Sequence, residues 1–563
     1  MSESAEATPD KRSRSQRRAV IYVMTFMMGG CGIAYEYTFS KISSDLMGNS
    51  ARQWAITIGL MMLFMGIGSD LQKHLKDKGL FDKFVLFEVL LGLVGGFGPI
   101  LLLWAFGAAH DHYVLLQYGM IIATGFLIGL EIPILARINE RYTEELRVNI
   151  GGILRMDYVG AFTAAMLWAF VFIVFFTPTR IGFVLGLFNL ITAGLSLIYF
   201  RHLAVHKRLL GGLIAICTLG LLVGFINAPT WTTYAEQRLF LDRVIYTNTT
   251  KYQHIVLTRG HSGEIFCYIN GNTQFSSYDE HIYHEMLVHP AMLVAPSRER
   301  VLVLGGGDGL AVREILKYPD VASVTLVDLD PDMTALARDN PYLSKLNQNS
   351  LADARLKVIR NNALVDVGNH EVTSPNRTEP FGGTPQAVAE VAIVNVDATA
   401  FVDQVQGYYD VIVIDFPDPN NLELSKLYSR GFYAKVRDKL SRHGILILQS
   451  TSPVHAKEAF LCVGRTLKAA GFAAVPFHDN VPSFGEWGWW IAGKDEVMTP
   501  ERLVNRLNDA TEINVPTRYL TPELIQASLH FGKGWLDTGQ TQVNTILNNV
   551  IYLYYSDALA EGY

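Results

Sequence analysis

Seven long apolar runs occupy the first 230 residues of this chain, and they restrict its fold more than any other feature. Each run is near the ~20 residues with which an α-helix crosses the hydrocarbon core of a bilayer. Helices buried in a soluble bundle would carry polar faces, which these runs lack. We therefore expect a multi-spanning α-helical membrane domain over 19–230. The predicted spans are 19–40, 53–69, 84–106, 113–136, 157–176, 181–200 and 209–227.

The basic residues between these runs predict an orientation. The tail 1–18 and every second loop together carry sixteen Lys and Arg residues, whereas the intervening loops carry three. The positive-inside rule then makes 1–18 a basic cytoplasmic tail of a multi-pass protein in the cell (inner) membrane, in contact with the lipid bilayer. Seven crossings would put the C-terminal half on the side opposite the N-terminus, where a domain could not use a cytosolic metabolite. Two alternatives stay open: one apolar run does not span, or the C-terminal half works outside the cytoplasm. The sequence leaves the side of that half open.

Four acidic residues lie within or beside the spans, where an ionisable group is a candidate for function. Two interpretations stay open. In the first, the acids lie near the membrane interface or pair with Arg137 and Arg155. In the second, they form a site for a cationic substrate. The four acids are Glu36, Glu88, Glu131 and Asp157.

Charge and cysteine content exclude several classes of function. A net charge of −6 over 563 residues argues against nucleic acid as a partner. The four cysteines show neither a disulfide framework nor metal-ligand spacing, so we expect free thiols and no metal. These cysteines are Cys31, Cys217, Cys267 and Cys462.

After residue 230 the chain changes to short strands, turns and charged helices. The stretch 252–277 alternates strand-like runs with turns at His261-Ser262-Gly263 and Asn270-Gly271. We predict a small β-hairpin domain over 235–295.

Continuous apolar strands alternate with helices from 300 to 493, as in a parallel sheet covered on both faces. This pattern predicts a Rossmann-like α/β domain over 296–530, followed by a C-terminal helical extension over 531–563. The polar segment 366–388 interrupts the pattern and is predicted to be a long surface loop.

A glycine-rich turn follows the first of these strands, in "VLVLGGGDGL" (301–310). Gly305, Gly307 and Gly309 stand between a strand and a helix, the context in which such a turn approaches a nucleotide. Asp308 lies inside the turn and adds a negative charge that an anionic ligand would not favour.

Further acids follow the next strands along the chain. Asp328 ends the second strand, where a carboxylate accepts hydrogen bonds from a ribose, whereas Asp330 is better placed to cap the next helix. Asp397, Asp415 and Asp418 follow later strands. Carboxylates gathered at one sheet edge repel one another unless a cation lies between them, and we expect an organic cation rather than a metal ion.

Several motifs together resemble the spermidine synthase family, the polyamine aminopropyltransferases. The resemblance covers about 240–530, and the apolar N-terminal half is similar to the multi-spanning, membrane-bound branch of that family. It implies a Rossmann-like domain of the methyltransferase type. The motifs are "KYQHI", "YDEHIYHEMLVHPAM", "VLVLGGGDGLAVREILKY", "VDLD", "DFPDP" and "VPSFGEWGWW".

The resemblance implies a role for each matched residue. Decarboxylated S-adenosylmethionine would be the co-substrate, with its ammonium at Asp308, its ribose at Asp328 and its adenine at Asp397. Asp415 would be the catalytic acid–base residue, assisted by Tyr283. Gln253 and His284, with Tyr283, would border the donor and amine pockets. Asp418 would help to bind the amine substrate, and Gln449 would line the same pocket.

The decarboxylated donor explains the acid in the turn. Ordinary S-adenosylmethionine carries a carboxylate beside its amine, which Asp308 would repel, whereas the decarboxylated form carries the ammonium alone. A unit charge pair at ~4 Å and an effective dielectric constant of ~20 is worth ~4 kcal/mol before desolvation.

This sequence departs from its soluble relatives in "VPSFGEWGWW". Phe484 stands where they usually have a tyrosine, and Glu486 is an alternative partner for the far amine. Trp487 or Trp489 could add a cation–π contact. Trp489 and Trp490 are more simply explained as core residues of a strand.

Three functions are consistent with these features. The first is a polyamine aminopropyltransferase acting on a small polyamine such as putrescine, expected as a homo-oligomer. The second is another S-adenosylmethionine-dependent transferase, and the third is a non-catalytic membrane polyamine sensor or transporter. The acid-lined pocket argues against the second, and a retained base argues against the third.

Overall fold

A computed structural model describes residues 11–47, 50–140, 142, 145–352, 356–361, 390–537 and 541–561. The chain forms two compact units, Met1–Lys251 and Tyr252–Tyr563. The predicted loop 366–388 lies outside the described residues. The predicted domain boundaries stay predictions.

The first unit is helical and ends with one strand. Seven described helices are long and apolar enough to cross a membrane, and each contains or largely covers one predicted span. A short π-helical stretch, Trp168–Phe172, joins α5 to α6. The elements are α1 (Lys11–Met47), α2 (Ser50–Leu71), α3 (Leu80–Ala108), α4 (His110–Asn139), α5 (Leu146–Leu167), α6 (Ile173–Phe175), α7 (Pro178–Tyr199), α8 (Lys207–Glu236) and β1 (Arg243–Thr249).

Two of the acids in this unit are buried. Glu88 and Glu131 are 0% and 2% exposed. Asn189 Nδ2 donates to Glu88 Oε2 at 3.1 Å. Arg137 instead donates to the Leu75 carbonyl and pairs with Asp77, so its predicted pairing with an acid of the spans is wrong.

The second unit begins with the antiparallel strands β2 (His254–Arg259), β3 (Ile265–Ile269) and β4 (Asn272–Ser276). Asn270 and Gly271 join the last two with φ of 51° and 80°. Two successive positive φ values define the tight hairpin turn that Asn-Gly favours. Both predicted hairpins are confirmed.

The remaining elements of the second unit alternate helices with strands. They are α9 (Glu280–Val294), β5 (Arg300–Gly305), α10 (Leu310–Ile315), β6 (Ser323–Asp328), α11 (Pro331–Asp339), α12 (Pro341–Leu346), β7 (Leu356–Asn361), β8 (Glu390–Asn395), α13 (Ala398–Gln404), β9 (Tyr409–Asp415), α14 (Leu422–Ser425), α15 (Arg430–Lys439), β10 (Leu440–Gln449), α16 (Lys457–Ala469), β11 (Phe472–Val481), β12 (Gly485–Lys494), α17 (Pro500–Asn508), α18 (Pro522–Ser528) and α19 (Val550–Glu561).

These strands form an eight-stranded sheet in the order β11-β12-β10-β9-β5-β6-β8-β7. Six strands are parallel, whereas β12 runs antiparallel to both β10 and β11. The expectation of a wholly parallel sheet is therefore wrong at one edge. The residues between β11 and β12 are too few for the crossover that a parallel pair needs, so these strands form a hairpin.

Successive side chains of β5 pack into separate cores on the two faces of the sheet. Val301 and Val303 lie in one apolar cluster, and Leu302 and Leu304 lie in the other. Alternation of side chains along a strand explains this division. The prediction that both faces of the sheet are covered is confirmed. Because both faces are covered, groups that bind a ligand are expected at the carboxyl ends of the strands.

Candidate active site

The glycine-rich turn after β5 is held against the ends of two neighbouring strands. Gly305 has φ of +82°, and the Gly306 N–H donates to the Asp415 carbonyl at 3.1 Å. The Gly307 N–H donates to Asp328 Oδ2 at 3.0 Å. A Cβ on Gly307 would lie 2.6 Å from that same oxygen, so a side chain here would displace the turn or the carboxylate.

The two acids after β6 have different roles. Asp328 also accepts from the Asp330 N–H, at 2.8 Å on Oδ1, so each of its oxygens holds one backbone donor. Burial raises the pKa of Asp328 to about 7. Asp330 accepts from the Asp332 N–H and caps α11, which confirms its predicted capping role, although it is buried rather than on the surface.

Asp397 follows β8 as predicted, and it also begins α13. Its Oδ1 accepts from the N–H groups of Thr399 and Ala400 at 2.9 and 3.1 Å. The sequence did not indicate this cap, which orients the carboxylate and keeps it at the strand end.

Asp415 ends β9, directly opposite Gly305 in the sheet. The Tyr283 hydroxyl, from α9, donates to Asp415 Oδ1 at 2.7 Å. Burial raises the pKa of Asp415 to about 6, with Asp308 adding to the rise and His284 opposing it. At neutral pH this carboxyl is therefore ionised and able to accept a proton.

His284 provides a positive charge at the centre of the site. Burial opposes that charge, but a hydrogen bond from Nδ1 to Glu280, at 3.0 Å, and the surrounding carboxylates raise the pKa of His284 to about 9. Ligand atoms of His284, Asp308 and Asp415 all lie within 4.8 Å of one another. A protonated imidazole has no lone pair for a metal ion, so we interpret this group as an ion cluster.

This arrangement refines the expectation that an organic cation separates the carboxylates. The protein's own imidazolium lies among them. Burial still raises the pKa of Asp308, and the Leu310 N–H donates to its Oδ1 at 2.8 Å. A ligand ammonium would add a second positive charge to a site that retains excess negative charge.

The charge on His284 depends on a buried ion pair that sequence reasoning missed. Arg313 Nη1 and Nη2 donate to the two carboxylate oxygens of Glu280 at 2.8 and 2.9 Å. Although burial opposes ionisation, hydrogen bonds from His284 and Arg313 lower the pKa of Glu280 to about 2. The spacing of four residues between Glu280 and His284 on one helix was the available signal.

Two further acids of the motif "YDEHIYHEM", Asp279 and Glu285, anchor α9 through different contacts. Asp279 accepts from the Ser483 N–H and hydroxyl, at 2.6 and 2.9 Å, which ties the β11–β12 turn to α9. Glu285 accepts from the N–H groups of Arg518, Tyr519 and Leu520. These contacts fix α9, and with it Tyr283, at the edge of the sheet.

Asp418 lies in a second polar group beyond Asp415. Gln449 Nε2 approaches Asp418 Oδ1 at 3.4 Å and donates to the Tyr428 hydroxyl at 2.9 Å. The Tyr555 hydroxyl donates to Asp418 Oδ2 at 2.9 Å. Burial raises the pKa of Asp418 to about 6, although hydrogen bonds from Tyr555 and Gln449 lower it. No feature of the sequence pointed to Tyr428 or Tyr555.

The remaining predicted residues have different surroundings. The Phe484 ring packs 6.1 Å from that of Tyr283, and Glu486 contacts His478. Gln253 is partly buried just before β2. Their roles stay predictions. Trp489 is fully buried and stacks on Phe477, which confirms its assignment to the core.

The chain is similar to proteins of one enzyme family. A family model for the spermine/spermidine synthase domain matches residues 280–370 and 386–501. A polyamine aminopropyltransferase of Leptospira interrogans is 37% identical over 85% of this chain and 89% of its own length. Polyamine aminopropyltransferase 1 of Ralstonia nicotianae is 34% identical over 99% of this chain and 98% of its own length. These relatives place the chain in the polyamine aminopropyltransferase family.

The family is one of enzymes that use decarboxylated S-adenosylmethionine as a co-substrate and act on small amines. Membership of this family selects aminopropyl transfer from the three functions that are consistent with the sequence. The crystal structure of spermidine synthase from Thermotoga maritima aligns with a TM-score of 0.41 and 22% identity, over 52% of this chain and 87% of that chain.

Proposed function

We propose that this enzyme transfers the aminopropyl group of decarboxylated S-adenosylmethionine to a primary amine of a small polyamine such as putrescine, releasing methylthioadenosine. The observation that carries this proposal is the meeting of Asp308, Asp415 and His284 within 4.8 Å at the glycine-rich turn. A base and an ammonium partner thus lie side by side at a nucleotide site.

The donor nucleoside would lie along the carboxyl edge of the sheet. Each oxygen of Asp328 accepts one backbone N–H and keeps a lone pair for a ribose hydroxyl. The absence of a side chain at Gly307 leaves room for the nucleoside against the turn. Asp397 would accept from the adenine amino group, and Asp308 would hold the aminopropyl ammonium.

The reaction forms one C–N bond and breaks one C–S bond. The lone pair of the acceptor nitrogen attacks the methylene beside the sulfonium, and the C–S electron pair returns to sulfur as a neutral thioether. The nitrogen loses its proton to Asp415, which is a carboxylate above a pKa of about 6. The Tyr283 hydroxyl holds Asp415 in place, and alignment of nitrogen, carbon and sulfur lowers the barrier further.

The far end of the acceptor would lie near Asp418, which a second ammonium can neutralise. Gln449 Nε2 approaches one oxygen of this carboxylate at 3.4 Å, and Phe484 packs beside Tyr283. Glu486 is proposed as a further contact for longer polyamines.

A panel of amines tests this proposal directly. The detergent-solubilised protein would be incubated with decarboxylated S-adenosylmethionine and putrescine, longer polyamines or monoamines, and the products identified by mass spectrometry. We expect methylthioadenosine and an amine heavier by one aminopropyl group. No transfer to any amine, or methyl transfer from intact S-adenosylmethionine, would refute the proposal.

We also propose a multi-pass protein of the cell (inner) membrane with a cytoplasmic N-terminus, and a homo-oligomeric assembly. The seven apolar helices and the distribution of basic residues support the first part. Reporter fusions after each span would give the orientation and the side of the second unit. Light scattering of the purified protein would give the number of subunits.

A further inference from the structure

The C-terminal segment 541–561 packs against the rest of the second unit, close to Asp418. Val550 and Ile551 are 6% and 0% exposed and lie in one of the two sheet cores. Asn544 Nδ2 donates to the Ser425 carbonyl at 2.8 Å, and the Arg430 N–H donates to the Asn544 carbonyl at 2.9 Å. The segment is thereby joined to the chain that follows Asp418.

This packing brings Tyr555 of α19 to Asp418. Its hydroxyl donates to Oδ2 at 2.9 Å, while Gln449 approaches Oδ1 at 3.4 Å. The hydrogen bond from Tyr555 therefore fixes one oxygen of the carboxylate, and that oxygen keeps a lone pair for a ligand. Tyr555 lies outside the part of the chain that matches the family domain, which ends at residue 501.

We propose that Tyr555 is a positioning residue that determines selectivity for an acceptor with a second ammonium, acting through Asp418. This inference rests on the proposed function, because it assigns Asp418 to the far end of the acceptor. Phe484, in the turn between β11 and β12, has no hydroxyl group. Tyr555 of α19 provides a hydroxyl group from a different part of the chain.

The physical basis is the orientation and charge of one buried carboxylate. A phenol that donates to a carboxylate favours its ionised form, and a charge-assisted hydrogen bond of this kind also fixes its rotamer. Without the hydroxyl, Asp418 is left less ionised and less well oriented for an ammonium. Binding of the donor and the chemistry at Asp415 do not involve this contact.

The primary test compares Tyr555→Phe with the matched control Tyr554→Phe. Tyr554 lies on the same helix, but its hydroxyl accepts from the Gln542 N–H at 3.1 Å instead of contacting Asp418. We expect Tyr555→Phe to raise KM for putrescine about tenfold, or ~1.4 kcal/mol, while kcat and the donor KM change less than about twofold. Tyr554→Phe should leave all three parameters near the parent values.

Calorimetric binding of putrescine, and of n-butylamine, to the methylthioadenosine complex supplies a readout independent of turnover. Putrescine carries a second ammonium, and n-butylamine lacks it. Tyr555→Phe should weaken putrescine binding alone, and the same change in an Asp418→Asn background should have little further effect. Tyr555→Gln, which retains a donor, should recover part of the loss.

An unchanged KM and affinity for putrescine in Tyr555→Phe would overturn the inference. Equal weakening of both amines, a parallel rise in the donor KM, or additive effects of the Tyr555 and Asp418 changes would also overturn it. Absence of aminopropyl transfer by the parent protein would instead refute the proposed function, so the two failures are distinguishable.

Discussion

The Tyr283 hydroxyl lies 2.7 Å from Asp415 Oδ1 and joins α9 to the carboxyl end of β9. Neighbouring His284 brings a positive charge to the same carboxylate from the next position of the helix. One turn of α9 thus orients Asp415, the proposed base, and influences its charge. The acids at either side of that turn, Asp279 and Glu285, anchor the helix.

Replacement of the base should abolish turnover without preventing donor binding. We expect Asp415→Asn to lower kcat by about 10²–10⁴-fold, the usual contribution of general base catalysis. Methylthioadenosine release measures turnover, and calorimetry with the donor measures binding. Formation of methylthioadenosine at the parent rate would show that Asp415 is not the base.

The pH profile should report the raised pKa of Asp415. The carboxylate is the active form of Asp415, and its pKa is about 6. We therefore expect kcat/KM to be low at pH values below about 6 and to increase as the pH is raised through that value. Tyr283→Phe removes a hydrogen bond that lowers this pKa, so the acidic limb should move to higher pH. Tyr318→Phe is the control, because that hydroxyl contacts His289 instead. An acidic limb unmoved by Tyr283→Phe would contradict the assigned hydrogen bond.

Neutralising the acid in the turn should weaken selection between donors. Asp308→Asn should bind decarboxylated S-adenosylmethionine less tightly and tolerate the intact form better. Loss of even part of a ~4 kcal/mol charge pair predicts about a tenfold or greater fall in the affinity ratio. Calorimetry with both compounds measures that ratio, and the charge argument fails if it stays at the parent value.

Breaking the buried ion pair should destabilise the second unit. Arg313→Met leaves the Glu280 carboxylate without its bidentate partner, which predicts a loss of about 3–5 kcal/mol. Arg338→Ala removes an exposed pair with Asp339 and should cost at most about 1 kcal/mol. Thermal unfolding of both variants checks the difference, and equal midpoints would count against a structural role for the buried pair.

A side chain in the glycine-rich turn should impair donor binding. The added methyl of Gly307→Ala would lie 2.6 Å from Asp328 Oδ2, so the turn or the carboxylate must move. We expect the donor KM to rise about tenfold, or ~1.4 kcal/mol. Gly431→Ala adds a methyl at ordinary contact distances and is the control. A donor KM unchanged by Gly307→Ala would show that the glycine-rich turn is not part of the donor site.

Local patterns allowed much of this molecule to be predicted. Apolar runs predicted the seven helices, and Asn270-Gly271 predicted the hairpin turn, because each depends on neighbouring residues alone. The placement of Asp328 and Asp415 at one edge also followed, since parallel strands align their carboxyl ends. The antiparallel edge was missed because apolar strand patterns do not encode direction.

The sequence by itself therefore determined the kinds of element, the glycine-rich turn after β5 and the acids placed at the strand ends. Only the tertiary structure decided which side chains distant in the sequence contact one another. Examples are Arg313 with Glu280, and Tyr555 with Asp418. Those contacts depend on how helices close over the sheet, and no spacing along the chain encodes that closure. Burial then sets the charge of each group, because the cost of desolvation depends on all the elements packed around it.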